Sequence, residues 1–157
     1  MNKDIDKRIV VRRLSDDGVS IIIPIKQEGQ TEDDALRAAL DKIDSFTMEL
    51  IKVCDKTELP TRDEFRNAWK IDKKTNGVDF DLKKAGDIKL DALRLVRNKA
   101  LKELDLEVMK AQEKGLSITA LAAKKQALRD MPISLQPDLA KAKTIEDIKL
   151  INIDHLL

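Results

Sequence analysis

The chain has 157 residues, and its 30 basic side chains almost cancel its 29 acidic ones. This length allows one domain or two small ones, and the aromatic fraction of only 3% requires an aliphatic core. The balanced charge argues against long-range steering towards nucleic acid or an anionic membrane. A single cysteine, Cys54, excludes an intramolecular disulfide, and a single histidine, His155, excludes the usual zinc ligand sets.

The first predicted element is a β-hairpin between Arg8 and Ile25. Two β-branched runs flank Asp17-Gly18 in this segment, and an Asp-Gly step between such runs is typical of a tight turn. We expect Gly18 to supply the positive φ of that turn. Pro24 cannot donate a hydrogen bond to a ladder, so it is expected at a strand end or on an edge strand.

A short amphipathic helix is predicted next, beginning after Thr31. Thr31 fits an N-cap because acidic residues 32–34 follow it, and apolar residues recur at helical spacing as far as Ile43. Residues 46–53 then alternate between polar and apolar side chains, which predicts a third strand. A continued helix is the alternative interpretation, since Met, Glu and Leu all favour helices.

A compact segment with two of the few aromatic residues precedes the second half of the chain. Phe65 and Trp69 lie four residues apart and would share one face of a helical turn. They are candidate partner anchors, because aromatic side chains often anchor interfaces. In so aromatic-poor a chain, a pin between the α+β part and the helices is the favoured interpretation. Asn76-Gly77 predicts a turn after this segment.

The second half is predicted to be helical. Apolar residues recur every three or four positions between 81 and 114, without a proline, which predicts one helix close to 50 Å long at about 1.5 Å per residue. Gly115 is expected to end it. A second, antiparallel helix is predicted at 117–130, with interruption by the prolines from Pro132 onward. Thr144 and the acidic residues after it predict the N-cap of a last short helix.

The predicted fold class is α+β, in two parts. Residues 1–75 form a small N-terminal β-hairpin or three-stranded unit with a short helix, and residues 76–157 form a long C-terminal helical hairpin. The shorter helix cannot cover the longer one, so the uncovered apolar stripe indicates a second copy in a homo-oligomer or another protein. Packing within the monomer is the alternative. The candidate interface residues are Phe65, Trp69, Leu93, Arg94, Val96, Arg97, Leu101, Leu104, Val108 and Arg129.

No constellation of side chains indicates catalysis, so we expect no enzyme activity, no cofactor and no metal site. A nucleophile would need a base, and Cys54 at a predicted strand end is expected to be a structural thiol. The basic residues between 83 and 102 alternate with acidic ones and lack aromatic neighbours, so a solvated helix face is favoured over a nucleic-acid site. The chain has no stretch near the roughly 20 apolar residues of a membrane span, and no signal peptide is expected.

A run from Leu59 to Trp69 carries a recognisable motif. A Leu-Pro pair precedes a charged pair and then Phe-Arg-x-Ala-Trp, which resembles a motif of small bacteriophage and prophage proteins encoded near tail genes. The charged pair is Asp-Arg in that motif and is reversed here to Arg62-Asp63. The similarity extends over most of residues 59–150. Within it, the segment from Gln126 to Pro132 resembles the C-terminal segment of several tail and tail-fibre assembly proteins.

This resemblance implies a tail-associated structural or tail-assembly protein that acts through protein contacts. The implied partners are phage tail proteins, and the implied location is the bacterial host cytoplasm or the virion. The alternative function is that of a small prophage-encoded regulator or inhibitor that binds a host protein.

Overall fold

The computed structural model describes residues 3–157 and divides the chain into two units, the first up to Asp81 and the second from Leu82 to Leu157. Sequence reasoning placed this division at residue 75. The difference arises because residues 69–80 form a small antiparallel hairpin, and this hairpin belongs entirely to the first unit. The turn at Asn76-Gly77 therefore lies within this hairpin and does not separate the two units.

The first unit is built around a three-stranded antiparallel sheet. The strands of its first 55 residues are β1 Lys3–Asp4, β2 Lys7–Arg13, β3 Val19–Ile22, β4 Ile25–Lys26 and β5 Met48–Asp55. The sheet has the order β3-β2-β5, and β1 pairs separately with β4. The predicted α+β class, with a three-stranded N-terminal unit, is thereby confirmed.

The predicted hairpin of β2 and β3 forms, but Gly18 is not the residue with positive φ. Asp17 has φ +55°, a conformation that Asp tolerates better than most residues. The guanidinium of Arg13 lies beside Gly18, and a Cβ at this position would displace this flexible side chain. That guanidinium is held by an ion pair with Asp16 at 2.9 Å. Pro24 lies between β3 and β4, at the predicted strand end.

The first helix, α1 (Glu32–Leu40), begins at the predicted cap and ends before Ile43. The Thr31 hydroxyl accepts a hydrogen bond from the Asp34 backbone N–H at 3.1 Å, and the Asp34 carboxylate accepts one from the Thr31 N–H at 3.0 Å. This reciprocal capping box fixes the start of the helix. The segment for which a strand and a continued helix were both considered forms β5. It is a strand because it pairs with β2.

Two 3-10 turns and a second hairpin complete the first unit. The turns are Lys56–Glu58 and Glu64–Ala68, and the hairpin consists of β6 (Trp69–Ile71) and β7 (Val78–Phe80). Its turn has a positive φ at Asn76, at +53°, as expected for a residue that tolerates the left-handed region. The predicted turn is confirmed, while the pairing of its flanking strands was not foreseen.

The second unit is helical. Its elements are α2 (Leu82–Glu113), α3 (Thr119–Ser134), α4 (Gln136–Lys141), α5 (Ile145–Leu150) and a 3-10 turn at Asp154–Leu156. α2 spans about 48 Å at roughly 1.5 Å per residue. Gly115 follows it with φ +65°, in the left-handed conformation typical of helix ends. The predicted pair of helices joined at Gly115 is present.

The predicted interruption at Pro132 is wrong, because α3 continues through it to Ser134. A proline inside a helix costs about 3 kcal/mol, since it lacks an N–H and crowds the preceding turn. Leu128, Met131 and Leu135 follow one another at helical spacing around it and are buried. Burial of each such side chain contributes roughly 1.5–3 kcal/mol, so packing outweighs the local preference of the proline.

Each unit has a separate apolar cluster. The cluster of the first unit consists of Val10, Val19, Cys54 and Trp69, with partly buried side chains around them. The cluster of the second unit joins α2 to the later elements and consists of Leu90, Leu93, Met131, Leu135 and Ile153. The second cluster lies at the N-terminal part of α2. This part of the hairpin is therefore the part that later elements cover.

The N-cap of α5 yields a testable pH dependence. The pKa of the Asp147 carboxyl lies below its ordinary value of 3.8, because its carboxylate accepts hydrogen bonds from the Lys143 backbone, the Thr144 side chain and the Thr144 backbone. A lowered pKa means that this cap stabilises the folded state above about pH 4, and that the stabilisation is lost as the pH falls through the folded-state pKa. We expect Thr144→Val to raise the pKa of Asp147 towards 3.8, as measured by NMR titration of the carboxyl carbon.

Thr119→Val is the matched control for this titration, because Thr119 is the first residue of α3 and does not contact Asp147. The pKa of Asp147 should not change in this control. An unchanged pKa of Asp147 in Thr144→Val would contradict the role of the threonine hydroxyl in the cap.

Candidate interaction surface

The helical hairpin of α2 and α3 is packed at only one end. Leu90 and Leu93 of α2 are buried against Met131, Leu135 and Ile153. Leu104, at 5% exposure, is the last buried residue of α2. Up to that point, α3 and the segments after it cover the inward face of the long helix.

The other end of the hairpin has no core. From residue 105 to residue 127, where the structure describes every side chain, none is buried. We call this segment the hairpin tip. Its exposed apolar side chains are Leu106 at 56%, Met109 at 57% and Leu116 at 61% exposure. A helical pair with so little internal burial has little packing energy to hold it, since tertiary packing supplies most helix stability.

The two helices of the tip are nevertheless tied together. The Lys125 ammonium of α3 forms an ion pair with the Asp105 carboxylate of α2, and the lysine side chain is partly buried. Lys124 donates a hydrogen bond to the Leu157 oxygen, which joins α3 to the last residue of the chain. The ion pair holds α3 beside α2 but leaves the apolar side chains of the tip in contact with water.

The exposed apolar residues follow the outer side of α2. Leu106 and Met109 are three residues apart and therefore neighbours on one helix face. Leu95, which is also exposed, lies about three turns before Leu106, on nearly the same side. Partly buried Val108 and Ala111 lie on the inward side that Leu93 and Leu104 define. The hairpin tip thus presents an apolar face directed away from α3.

The apolar residues that sequence reasoning proposed for an interface lie mostly on this inward side. Leu93 and Leu104 are buried within the second unit, and Leu101 and Val108 are partly buried. Val96 is exposed and lines a cavity of about 280 Å³ between α2, α3 and the last residues of the chain. As surface candidates, Leu93 and Leu104 are wrong, because α3 and the elements after it already cover them.

The three proposed arginines do not come together in one site. Arg94 pairs with Asp91 at 2.6 Å, one helical turn away. Arg97 donates hydrogen bonds to the side-chain oxygen of Asn98, and Arg129 is exposed on α3. This arrangement is typical of a solvated helix face.

The aromatic candidates are inside the first unit. Phe65 is completely buried in the 3-10 turn, and Trp69 is buried where β6 begins, in the cluster with Val10 and Val19. The expected shared face on a helical turn is wrong, because the turn ends between them. Neither side chain projects from the surface, so both are wrong as protruding interface anchors, although Trp69 forms part of the wall of a cavity.

The exposed residues of the tip were missed for an identifiable reason. A spacing of three or four residues selected the stripe through Leu93 and Leu104, and the same spacing joins Leu106 to Met109 on the other side. Both stripes fit a helix, and periodicity alone does not say which one faces the core. Leu106 and Met109 lie on the side of α2 that α3 does not face, so the helix lengths do not identify them either.

The described residues offer little for catalysis or metal binding. Cys54 is buried near the end of β5, and burial raises the pKa of its thiol, which favours the protonated form. Within residues 3–157, no group of acidic, cysteine or histidine side chains is arranged to hold a metal ion. In that same range, no helix combines the length and apolar character needed to cross a membrane.

The fold and this surface define a two-unit α+β protein whose second unit carries a helical hairpin with an exposed apolar tip. No family model, curated protein or solved structure matches the chain.

Proposed function

We propose that the chain is a non-catalytic, phage tail-associated structural or tail-assembly protein that acts through protein contacts of its hairpin tip. The observation that carries this proposal is the absence of any buried side chain between residues 105 and 127, beside the exposed Leu106, Met109 and Leu116. Burial of one such side chain contributes roughly 1.5–3 kcal/mol, so a partner that covers this face stabilises both the contact and the tip itself.

The first partner to consider is a second copy of the chain. The tip carries acidic and basic residues in nearly equal number, among them Asp105, Glu107, Lys110, Glu113 and Lys114. A mixed surface of this kind matches its own charge pattern when two copies pack through the same patch, as in a two-fold symmetric dimer. A strongly acidic or basic partner would instead favour a tip of one charge sign.

The tail association is supported by sequence resemblance over residues 59–150. Contacts between copies suit a tail component, since virion proteins assemble by repeated contacts. The alternative, a regulator that binds a host protein, predicts a monomer that meets one target. Self-association therefore separates the two functions.

Charge placed on the apolar face should abolish self-association. We expect the wild-type chain to form a defined oligomer at micromolar concentration, and the double variant Leu106→Glu/Met109→Glu to weaken it by at least about tenfold, since burying a charge without a partner is costly. Both residues are exposed, so the melting temperature of the diluted protein should stay the same. Size-exclusion chromatography with light scattering measures the mass.

Leu150→Glu is the matched control, because Leu150 is an even more exposed leucine on α5 of the same unit. This variant should form the wild-type oligomer. A wild-type chain that is monomeric at every concentration, or equal loss of the oligomer in Leu150→Glu, would overturn assembly through the hairpin tip and favour the regulator.

A further inference from the structure

A second feature of the molecule lies in the first unit, apart from the hairpin tip. A cavity of about 270 Å³ opens beside the sheet, and we call it the cationic cavity. Its charged lining residues are Arg8, Lys56, Arg62 and Arg66, and its other walls are Ile21, Ile23, Leu59, Pro60 and Trp69. Among the side chains that the structure describes, no acidic one lines it.

The cations of this cavity are only partly neutralised. Lys56 forms an ion pair with Asp6 at 2.6 Å, and the buried Arg8 donates hydrogen bonds to backbone carbonyls, including that of Lys7 at 3.0 Å. Within the described chain, Arg62 and Arg66 have no ion pair with a carboxylate. Two guanidinium groups therefore add positive charge to one partly enclosed space without forming an ion pair with a described carboxylate.

Arg66 is held in this position at an electrostatic cost. It is partly buried, and its guanidinium lies over the Trp69 ring at 4.2 Å from the ring centroid. Burial lowers the pKa of Arg66, and the positive charges of Arg13 and Arg62 lower it further. A bound anion would relieve each of these effects, because it offsets the charge and supplies hydrogen bonds.

Trp69 adds a donor that the fold leaves unused. The indole Nε1 is buried and has no hydrogen-bond partner among the described residues. Buried donors are nearly always paired in folded proteins, so an unpaired one in a cavity wall is informative. Trp69 belongs to the lining of the cationic cavity, as do the guanidinium groups of Arg62 and Arg66.

The volume and the lining residues of the cationic cavity limit the kind of anion that it can bind. The volume is below the roughly 300–1,000 Å³ of typical cofactor and drug-sized sites, so one or two side chains fit better than a nucleotide. Five of the nine lining residues are apolar or aromatic. A small hydrated anion makes no use of these walls, whereas a carboxylate with aliphatic neighbours uses both the arginines and the apolar surface.

We propose that the cationic cavity binds an acidic side chain of a partner polypeptide, with Arg62 and Arg66 contacting the carboxylate and the apolar walls contacting the residues beside it. This site is independent of the hairpin tip, and its ligand is an acidic peptide segment with aliphatic neighbours. The two proposals therefore fail separately.

The sole tryptophan makes the test direct, because Trp69 lines the cavity and dominates the fluorescence of the chain. A capped Leu-Glu-Leu peptide is titrated into the full-length protein at constant ionic strength. It should change the emission of Trp69 in a saturable way. The matching Leu-Gln-Leu peptide should bind at least about tenfold more weakly, because its neutral amide cannot form an ion pair with the guanidinium groups.

Arg62→Gln is the diagnostic variant, since Arg62 is exposed and is not the residue that stacks on Trp69. It should weaken binding of the Glu peptide at least about tenfold, while Arg37→Gln, an exposed arginine on α1, should leave binding unchanged. Equal binding of the Glu and Gln peptides, or equal weakening by both variants, would overturn the proposal. Inorganic phosphate that binds as tightly as the Glu peptide would overturn its peptide ligand in favour of a free anion.

Discussion

Phe65→Ala is expected to lower the free energy of unfolding of the first unit by about 3–5 kcal/mol, the usual cost of truncating a fully buried phenylalanine. Phe65 has 0% exposure, so the substitution leaves a cavity that the 3-10 turn around it cannot easily fill. Urea unfolding followed by Trp69 fluorescence measures this effect, because Trp69 lies in the core of the same unit.

Phe46→Ala is the control for this experiment. Phe46 is 90% exposed in the turn before β5, and removal of its ring should change the unfolding free energy by no more than about 0.5 kcal/mol. Equal costs for the two phenylalanines would show that Phe65 is not a core residue.

Leu104→Ala is expected to destabilise the second unit by about 2–5 kcal/mol, as for other leucines truncated in a core. Leu104 is 5% exposed and lines the cavity beside the buried Leu128. Circular dichroism of the helices during urea unfolding measures the change, since most of the helical signal comes from this unit.

The matched variant for Leu104 is Leu106→Ala, two residues along the same helix. Leu106 is 56% exposed, so its truncation should cost no more than about 0.5 kcal/mol in diluted protein, where the tip is not covered by a second copy. If Leu106→Ala were as destabilising as Leu104→Ala under these conditions, the inward and outer faces of α2 would be wrongly assigned.

Local signals predicted the elements whose ends are set by nearby residues. Thr31 and Thr144 cap their helices through the hydrogen bonds that their sequences indicate. Gly115 ends α2 in the left-handed conformation that glycine favours. Alternation over residues 46–53 predicted a third strand, with a continued helix as the alternative, and the strand forms at Met48–Asp55.

Two predictions failed where tertiary contacts determine the local conformation. Pro132 was predicted to end the helix, yet burial of Leu128 and Met131 before it and of Leu135 after it keeps α3 helical. Gly18 was predicted to have the positive φ, yet Asp17 takes the left-handed conformation, and the guanidinium of Arg13 lies beside Gly18. Neither contact is visible before the chain is folded.

The two candidate sites differ in how far sequence could identify them. The unequal helix lengths predicted an uncovered apolar stripe on the long helix, but the stripe through Leu93 and Leu104 faces inward, and the exposed Leu106 and Met109 lie on another side. The cationic cavity was not predictable, because Arg8, Lys56 and Arg66 lie far apart along the chain and meet only when the sheet and the 3-10 turns have formed.

Concentration-dependent hydrogen exchange tests the role of the hairpin tip most directly. Amide exchange in residues 105–127 is measured by mass spectrometry on diluted and on concentrated protein. The proposal predicts slower exchange of this segment at high concentration, and no such change in Leu106→Glu/Met109→Glu. Exchange of the tip at the same rate in diluted and concentrated wild-type protein would contradict the claim that a second copy covers it.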